Sequence, residues 1–85
     1  MAKKKSHTQD EKFVLSLFEE VKFLEEKDVP FDRYIIGRKA GISEKAVDAI
    51  CKLLVQANFI KKASQNEIYL TPHGEKLANR LSEEF

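Results

Sequence analysis

Lys45, Ala49, Lys52 and Gln56 recur at helical spacing in the stretch SEKAVDAICKLLVQAN, with Asp48 beside them and Glu44 one step ahead. A ridge of this kind presents two ammonium groups, a methyl and a carboxamide. That is chemistry for holding an anionic surface, not for breaking a bond. Nothing else in the chain assembles a catalytic set: there is no activated nucleophile, no paired carboxylates and no glycine loop to cradle a phosphate. An enzyme is not expected. Cys51 falls on the apolar side of the same segment and reads as a small hydrophobe. A single cysteine leaves no internal disulfide. His7 stands in the N-terminal tail, and His73 at a helix start has no Cys or acidic partner at ligand spacing, so no metal or other cofactor is expected.

The charge distribution agrees with that reading. The net charge of the 85-residue chain is +1. Residues 1–28 carry six Lys against seven acids, residues 63–85 carry two cations against four acids, and residues 29–62 carry seven against three. The middle third therefore holds an excess of +4 between two acidic flanks. With 42% hydrophobic and 34% charged residues the chain supports one small core and a well-solvated surface, without room for a second domain. No apolar run is long enough for a membrane span or a signal peptide, so a cytoplasmic protein with no membrane partner is expected.

The elements that must position the ridge follow from periodicity and punctuation. Residues 1–9, MAKKKSHTQ, read as a disordered basic tail ahead of one domain over 10–85. Phe13, Val14, Leu17, Phe18, Val21 and Leu24 share one face of a helix predicted from Asp10 to Lys27, while Leu15 and Phe23 project off that stripe. Pro30 breaks the chain, and Val29 to Phe31 have the makings of a very short strand. Asp32 offers a cap oxygen to a helix over Arg33–Ala40, which Gly41 ends. Ser43 caps the ridge helix, predicted to reach about Ala57, with Val47, Ile50, Cys51, Leu54 and Ala57 facing inward. Asn58 suits the left-handed turn that follows. "NFIKKAS" and "NEIYLT" form a β-hairpin. Thr71-Pro72 then opens a last helix with Leu77, Ala78, Leu81 and Phe85 on its apolar stripe.

In order and spacing these pieces resemble the winged helix-turn-helix superfamily over nearly all of residues 10–85. "IIGRKAGIS" is similar to the first motif helix and turn of that family, with Gly37 small where two helices cross closely. "AVDAICKLLVQANFI" resembles its recognition helix running into the first wing strand, Asn58 standing where glycine is usual. "IYLTPHGEKLANRL" resembles the second strand and the Thr-x-x-Gly entry to the last helix of MarR- and PadR-like regulators. The fold class so implied is mainly α with a small β-hairpin, in the order helix, helix, helix, strand, strand, helix.

The resemblance implies duplex DNA binding, with helix 43–57 in the major groove and wing 59–70 on the backbone. Carried over by position, Lys45, Asp48, Ala49 and Lys52 face the bases. Arg38, Lys39 and Ser43 face phosphates, and Lys61, Lys62, Ser64, Gln65 and Asn66 supply wing contacts. Asp48 and Glu44 have the wrong sign for that surface, although Asp48 is able to accept from a cytosine amino group. Such regulators commonly pair through their first and last helices, so a homodimer using Leu15, Phe23, Leu81 and Phe85 is expected. The alternative is a winged-helix protein-interaction module docking through those same helices. No ligand pocket is legible in the sequence, which supports no small-molecule effector.

Overall fold

The computed structural model describes residues 7–83. The first helix, α1 (Gln9–Val21), begins inside the segment expected to be tail. Thr8 is its N-cap, and a capping box closes it: the Thr8 hydroxyl accepts from the Glu11 N–H at 3.4 Å, and the Glu11 carboxylate accepts from the Thr8 N–H at 2.9 Å. The expected tail therefore ends before Thr8; its residues 1–6 lie outside the described residues. Phe13, Val14, Leu17 and Val21 are wholly buried along one face, with Phe18 beside them.

The predicted extension to Lys27 does not form: α1 stops at Val21, with Lys22 as C-cap donating to the Phe18 carbonyl at 2.8 Å. Two further turns would place Glu25 and Glu26 at the negative end of the helix dipole, where acids are unfavourable. They would also bury nothing, since Leu24 is exposed.

The short strand starts two residues later than expected, at Phe31, and ends one later, at Asp32. β1 (Phe31–Asp32) pairs antiparallel with β3 (Glu67–Leu70), Phe31 opposite Ile68 and Asp32 opposite Glu67. β2 (Ile60–Lys62) pairs with the other edge of β3, giving a three-stranded sheet in the order β1-β3-β2. Asp32 also caps α2 (Arg33–Lys39), its carboxylate accepting from Tyr34 N–H at 2.8 Å and Ile35 N–H at 3.4 Å.

Gly41 turns the chain at φ 76°, and Ser43 caps α3 (Glu44–Gln56), accepting from Ala46 N–H at 3.3 Å. The tight α2–α3 crossing rests on Gly37. A Cβ there would sit 2.2 Å from Val47 Cγ2, so the backbone of α2 lies against a side chain of α3. Asn58 takes φ 68°, the left-handed turn expected of it.

The last helix, α4 (Pro72–Glu83), is fastened by Thr71. Its buried hydroxyl accepts from Gly74 N–H at 3.0 Å and donates to the Asn58 carbonyl at 2.6 Å, tying the helix entry to the turn that ends α3. Ile36, Ile42, Val47, Ile50, Cys51, Leu54, Ile60, Ile68, Leu70 and Ala78 complete the core around α1. Among the described residues the architecture is mainly helical, with four helices and a small antiparallel sheet.

Candidate nucleic-acid interface

Ridge positions on α3 follow from which side of the helix the core takes. Val47, Ile50, Cys51 and Leu54 turn inward, leaving Lys45, Ala49, Lys52 and Gln56 exposed on the opposite side. Leu53, at 59% exposed, stands among the outward residues.

Asp48 is the exception on this ridge, and its surroundings account for its charge. The Tyr34 hydroxyl donates to Asp48 Oδ1 at 2.6 Å, and Arg33 Nη2 lies 3.4 Å from the same oxygen. Arg33 Nη2 also donates to the Tyr34 hydroxyl at 3.1 Å, and its guanidinium sits 5.0 Å from the Tyr34 ring centroid. The hydrogen bond to Asp48 is the main cause holding the Tyr34 phenol above its ordinary range, so Tyr34 remains a donor. An ion pair this exposed contributes at most about 1 kcal/mol to stability. Its consequence is electrostatic: the carboxylate is matched by a cation before any ligand arrives. Arg33 and Tyr34 are functional candidates that sequence reasoning missed. Their partner lies fourteen or more positions away, beyond any helical spacing. Arg33 Nε is buried with no acceptor among the described residues.

The cations expected to act together are divided by the fold. Arg38 is exposed on α2, whereas Lys39 Nζ lies 3.1 Å from Glu20 of α1. Lys61 and Lys62 are adjacent in β2, so alternation sends them to opposite faces of the sheet. Lys62 pairs across to Ile68 and, with Arg33, Asp48, Cys51 and Lys52, lines a cleft of about 340 Å³ between α3 and the hairpin. Lys61 pairs with Tyr69 and lines a wider cleft of about 700 Å³ shared with Glu26, Asp28 and Glu75.

Ser64, Gln65 and Asn66 are exposed in the connection between the strands. The Ser64 hydroxyl donates to the Glu67 carboxylate at 3.2 Å, and the Asn66 carbonyl accepts from Arg33 N–H at 2.9 Å, anchoring the hairpin to the start of α2.

The expected partner surface is largely absorbed by the core. Leu81 is 4% exposed and belongs to the interior, which corrects its assignment to an interface. The helix it sits on turns that stripe toward α1. Leu15 is half-buried against the core. Phe23 is 90% exposed in the turn after α1, with Leu24 next to it, and Phe85 lies outside the described residues.

Burial pushes the Cys51 thiol up to about 11, which keeps it protonated and unreactive near neutral pH. The His73 ring stacks on Phe59 with centroids 4.7 Å apart. Among the described residues, no group of three or more His, Cys, Asp or Glu side chains is placed to hold a metal ion. No helix among them is long and apolar enough to cross a membrane. Compared with protein-family models, curated proteins and solved structures, the chain has no match.

Proposed function

We propose that this chain is a winged helix-turn-helix DNA-binding protein, a transcriptional regulator of the cytoplasm that inserts α3 into the major groove and lays its hairpin along the backbone as a wing. The observation carrying the reading is the shared cleft. Lys52 of α3, Lys62 of β2 and Arg33 of α2 converge on it, next to the outward Lys45 and Ala49. The element order helix, strand, helix, helix, strand, strand, helix, with β1 bonded to β3, supports the same conclusion. Asp48 ceases to be an objection once Arg33 and Tyr34 hold it.

With Lys39 engaged by Glu20 and Lys61 on the other face of the sheet, the expected cations left for phosphate among the described residues are Arg38, Lys45, Lys52 and Lys62. Four such contacts correspond to a log–log salt slope of about −3 to −4 and a non-specific Kd of roughly 10⁻⁴–10⁻⁶ M. Fluorescence anisotropy on a random duplex across a salt series tests this. Joint replacement Lys45→Glu and Lys52→Glu should weaken binding by about tenfold or more with the circular dichroism unchanged, whereas Lys61→Glu should change it by less than about threefold. Absence of binding at about 50 mM salt, or a Kd indifferent to salt, refutes the proposal.

Phe23 favours a second reading, a protein-interaction module that pairs with another copy or another protein through the turn after α1. Its ring is 90% exposed and Leu24 beside it is 41% exposed. Light scattering on the full chain should then report a two-chain mass that Phe23→Asp reduces to one. A single-chain mass before the substitution removes the homodimer from both readings.

A further inference from the structure

We infer that this chain associates head to tail, the turn after α1 with its Phe23 seating in the cleft between α3 and the hairpin of a second copy. The inference rests on the protein-interaction reading of Phe23 and names the surface that receives the ring.

The knob is acidic as well as apolar. Phe23 and Leu24 are exposed, and the exposed Glu25, Glu26 and Asp28 follow them, with no ion-pair partner among the described residues. The lysines of the same stretch are already engaged. Lys22 Nζ pairs with Glu19 at 2.9 Å and lies 5.1 Å from the Phe23 ring centroid, and Lys27 Nζ donates to the Leu24 carbonyl. An aromatic ring is thus held out beside three unmatched carboxylates.

The cleft answers both features. Cys51, Val55 and Ile68 give its volume of about 340 Å³ an apolar lining. On its rim Arg33 is paired with Asp48, which leaves Lys52 and Lys62 as cations without an acidic partner among the described residues. The ring fits the lining, and the acids beside it meet the two ammonium groups.

Other covers for Phe23 fail on charge. Stacking the ring on its own copy about a two-fold axis would set Glu25, Glu26 and Asp28 of one chain against those of the other. The wider cleft repels the same stretch, since Glu26, Asp28 and Glu75 there outnumber Lys27 and Lys61. A phosphate-bearing surface meets three carboxylates. A contact of knob with cleft is heterologous: it leaves a free knob at one end and a free cleft at the other, so association runs past two chains or closes into a ring. It also covers Lys52 and Lys62, withholding from a duplex two of the cations proposed to meet it.

Light scattering on the full chain from about 10 μM to about 1 mM tests the contact. The parent mass should rise past two chains with concentration. Phe23→Asp, and separately the pair Lys52→Glu with Lys62→Glu, should each weaken self-association by about tenfold or more with the circular dichroism unchanged. Lys61→Glu, on the opposite face of the sheet, should stay within about twofold of the parent. Mixed in equal amounts, the Phe23→Asp chain and the doubly substituted chain should recover a two-chain mass and no more, because one keeps the cleft and the other the knob. If Phe23→Asp abolishes association but the mixture stays at single-chain mass, or if the lysine pair changes nothing, the head-to-tail contact is overturned while the interaction reading of Phe23 survives. A parent of single-chain mass at every concentration also overturns it, leaving Phe23 for a different protein. An assembly indifferent to Phe23→Asp refutes the contact and the interaction reading together.

Discussion

Replacing Gly37 with alanine tests the contact that sets α3 against α2. The new Cβ would lie 2.2 Å from Val47 Cγ2, well inside the ordinary approach of two carbons. Val47 is wholly buried, and a β-branched side chain in a helix has essentially one χ1 rotamer, so the methyl has nowhere cheap to go. Overpacking of this kind costs about 2–3 kcal/mol. Against it, exchanging glycine for alanine inside a helix returns about 1 kcal/mol of propensity. The net expectation is a loss of about 1–2 kcal/mol, read as a fall in Tm of roughly 5–15 °C for a domain of this size.

A double-mutant cycle makes the reasoning refutable. Val47→Ala removes Cγ2, and its retained Cβ stands 3.6 Å from the added carbon, an ordinary contact. In that background Gly37→Ala should stabilise by about 0.5–1 kcal/mol, so the sign of its effect inverts. Urea unfolding of the four proteins supplies the measurement. If Gly37→Ala costs the same in both backgrounds, the helices are not held apart by this methyl. If it stabilises the parent chain, the crossing is looser than the distances state.

Two further outcomes are expected. Thr71→Val keeps the shape but removes the donor to the Asn58 carbonyl and the acceptor for Gly74 N–H; it should cost about 1–3 kcal/mol in urea unfolding, with Thr71→Ser losing less than about 1. An equal loss from both substitutions would put the effect in packing instead. Because burial raises the Cys51 thiol from its usual 9.0 to about 11, the unfolded chain ionises first on raising pH. The folded state keeps the proton, so the stability associated with Cys51 is intact below pH 9 and is lost as pH climbs toward 11. Denaturation midpoints from pH 8 to 11 should therefore fall more steeply for the parent than for Cys51→Ala, the raised Tyr34 phenol contributing equally to both. Parallel curves would show that the thiol is not sealed.

What could be read without the fold was local. Periodic apolar residues gave the faces of α1 and α3, Asp32 and Ser43 announced helix starts, and Asn58 announced a left-handed turn, because each signal lies within four residues of its effect. Gly37 belongs with them, since a helix followed at once by a turn and another helix leaves little choice about which residue sits at the crossing. The same local grammar contained Thr8 and Glu11, a legible capping box whose spacing marks the true start of α1.

What surrounds that ridge and completes the candidate site is non-local. β1 became a strand through its pairing with β3, whose Ile68 is far along the chain from Phe31. Lys61 and Lys62, neighbours in sequence, were parted by the two-residue alternation of a sheet whose faces exist only once three strands are aligned. Leu81 lay on an apolar stripe like any interface residue, and only the packing of α4 against α1 made it core. Asp48 carried its unfavourable sign until α2 brought Tyr34 and Arg33 beside it. Side-chain spacing along a helix is dictated by bond geometry, but charge compensation and burial depend on which distant segments meet, and that is settled by the tertiary structure alone.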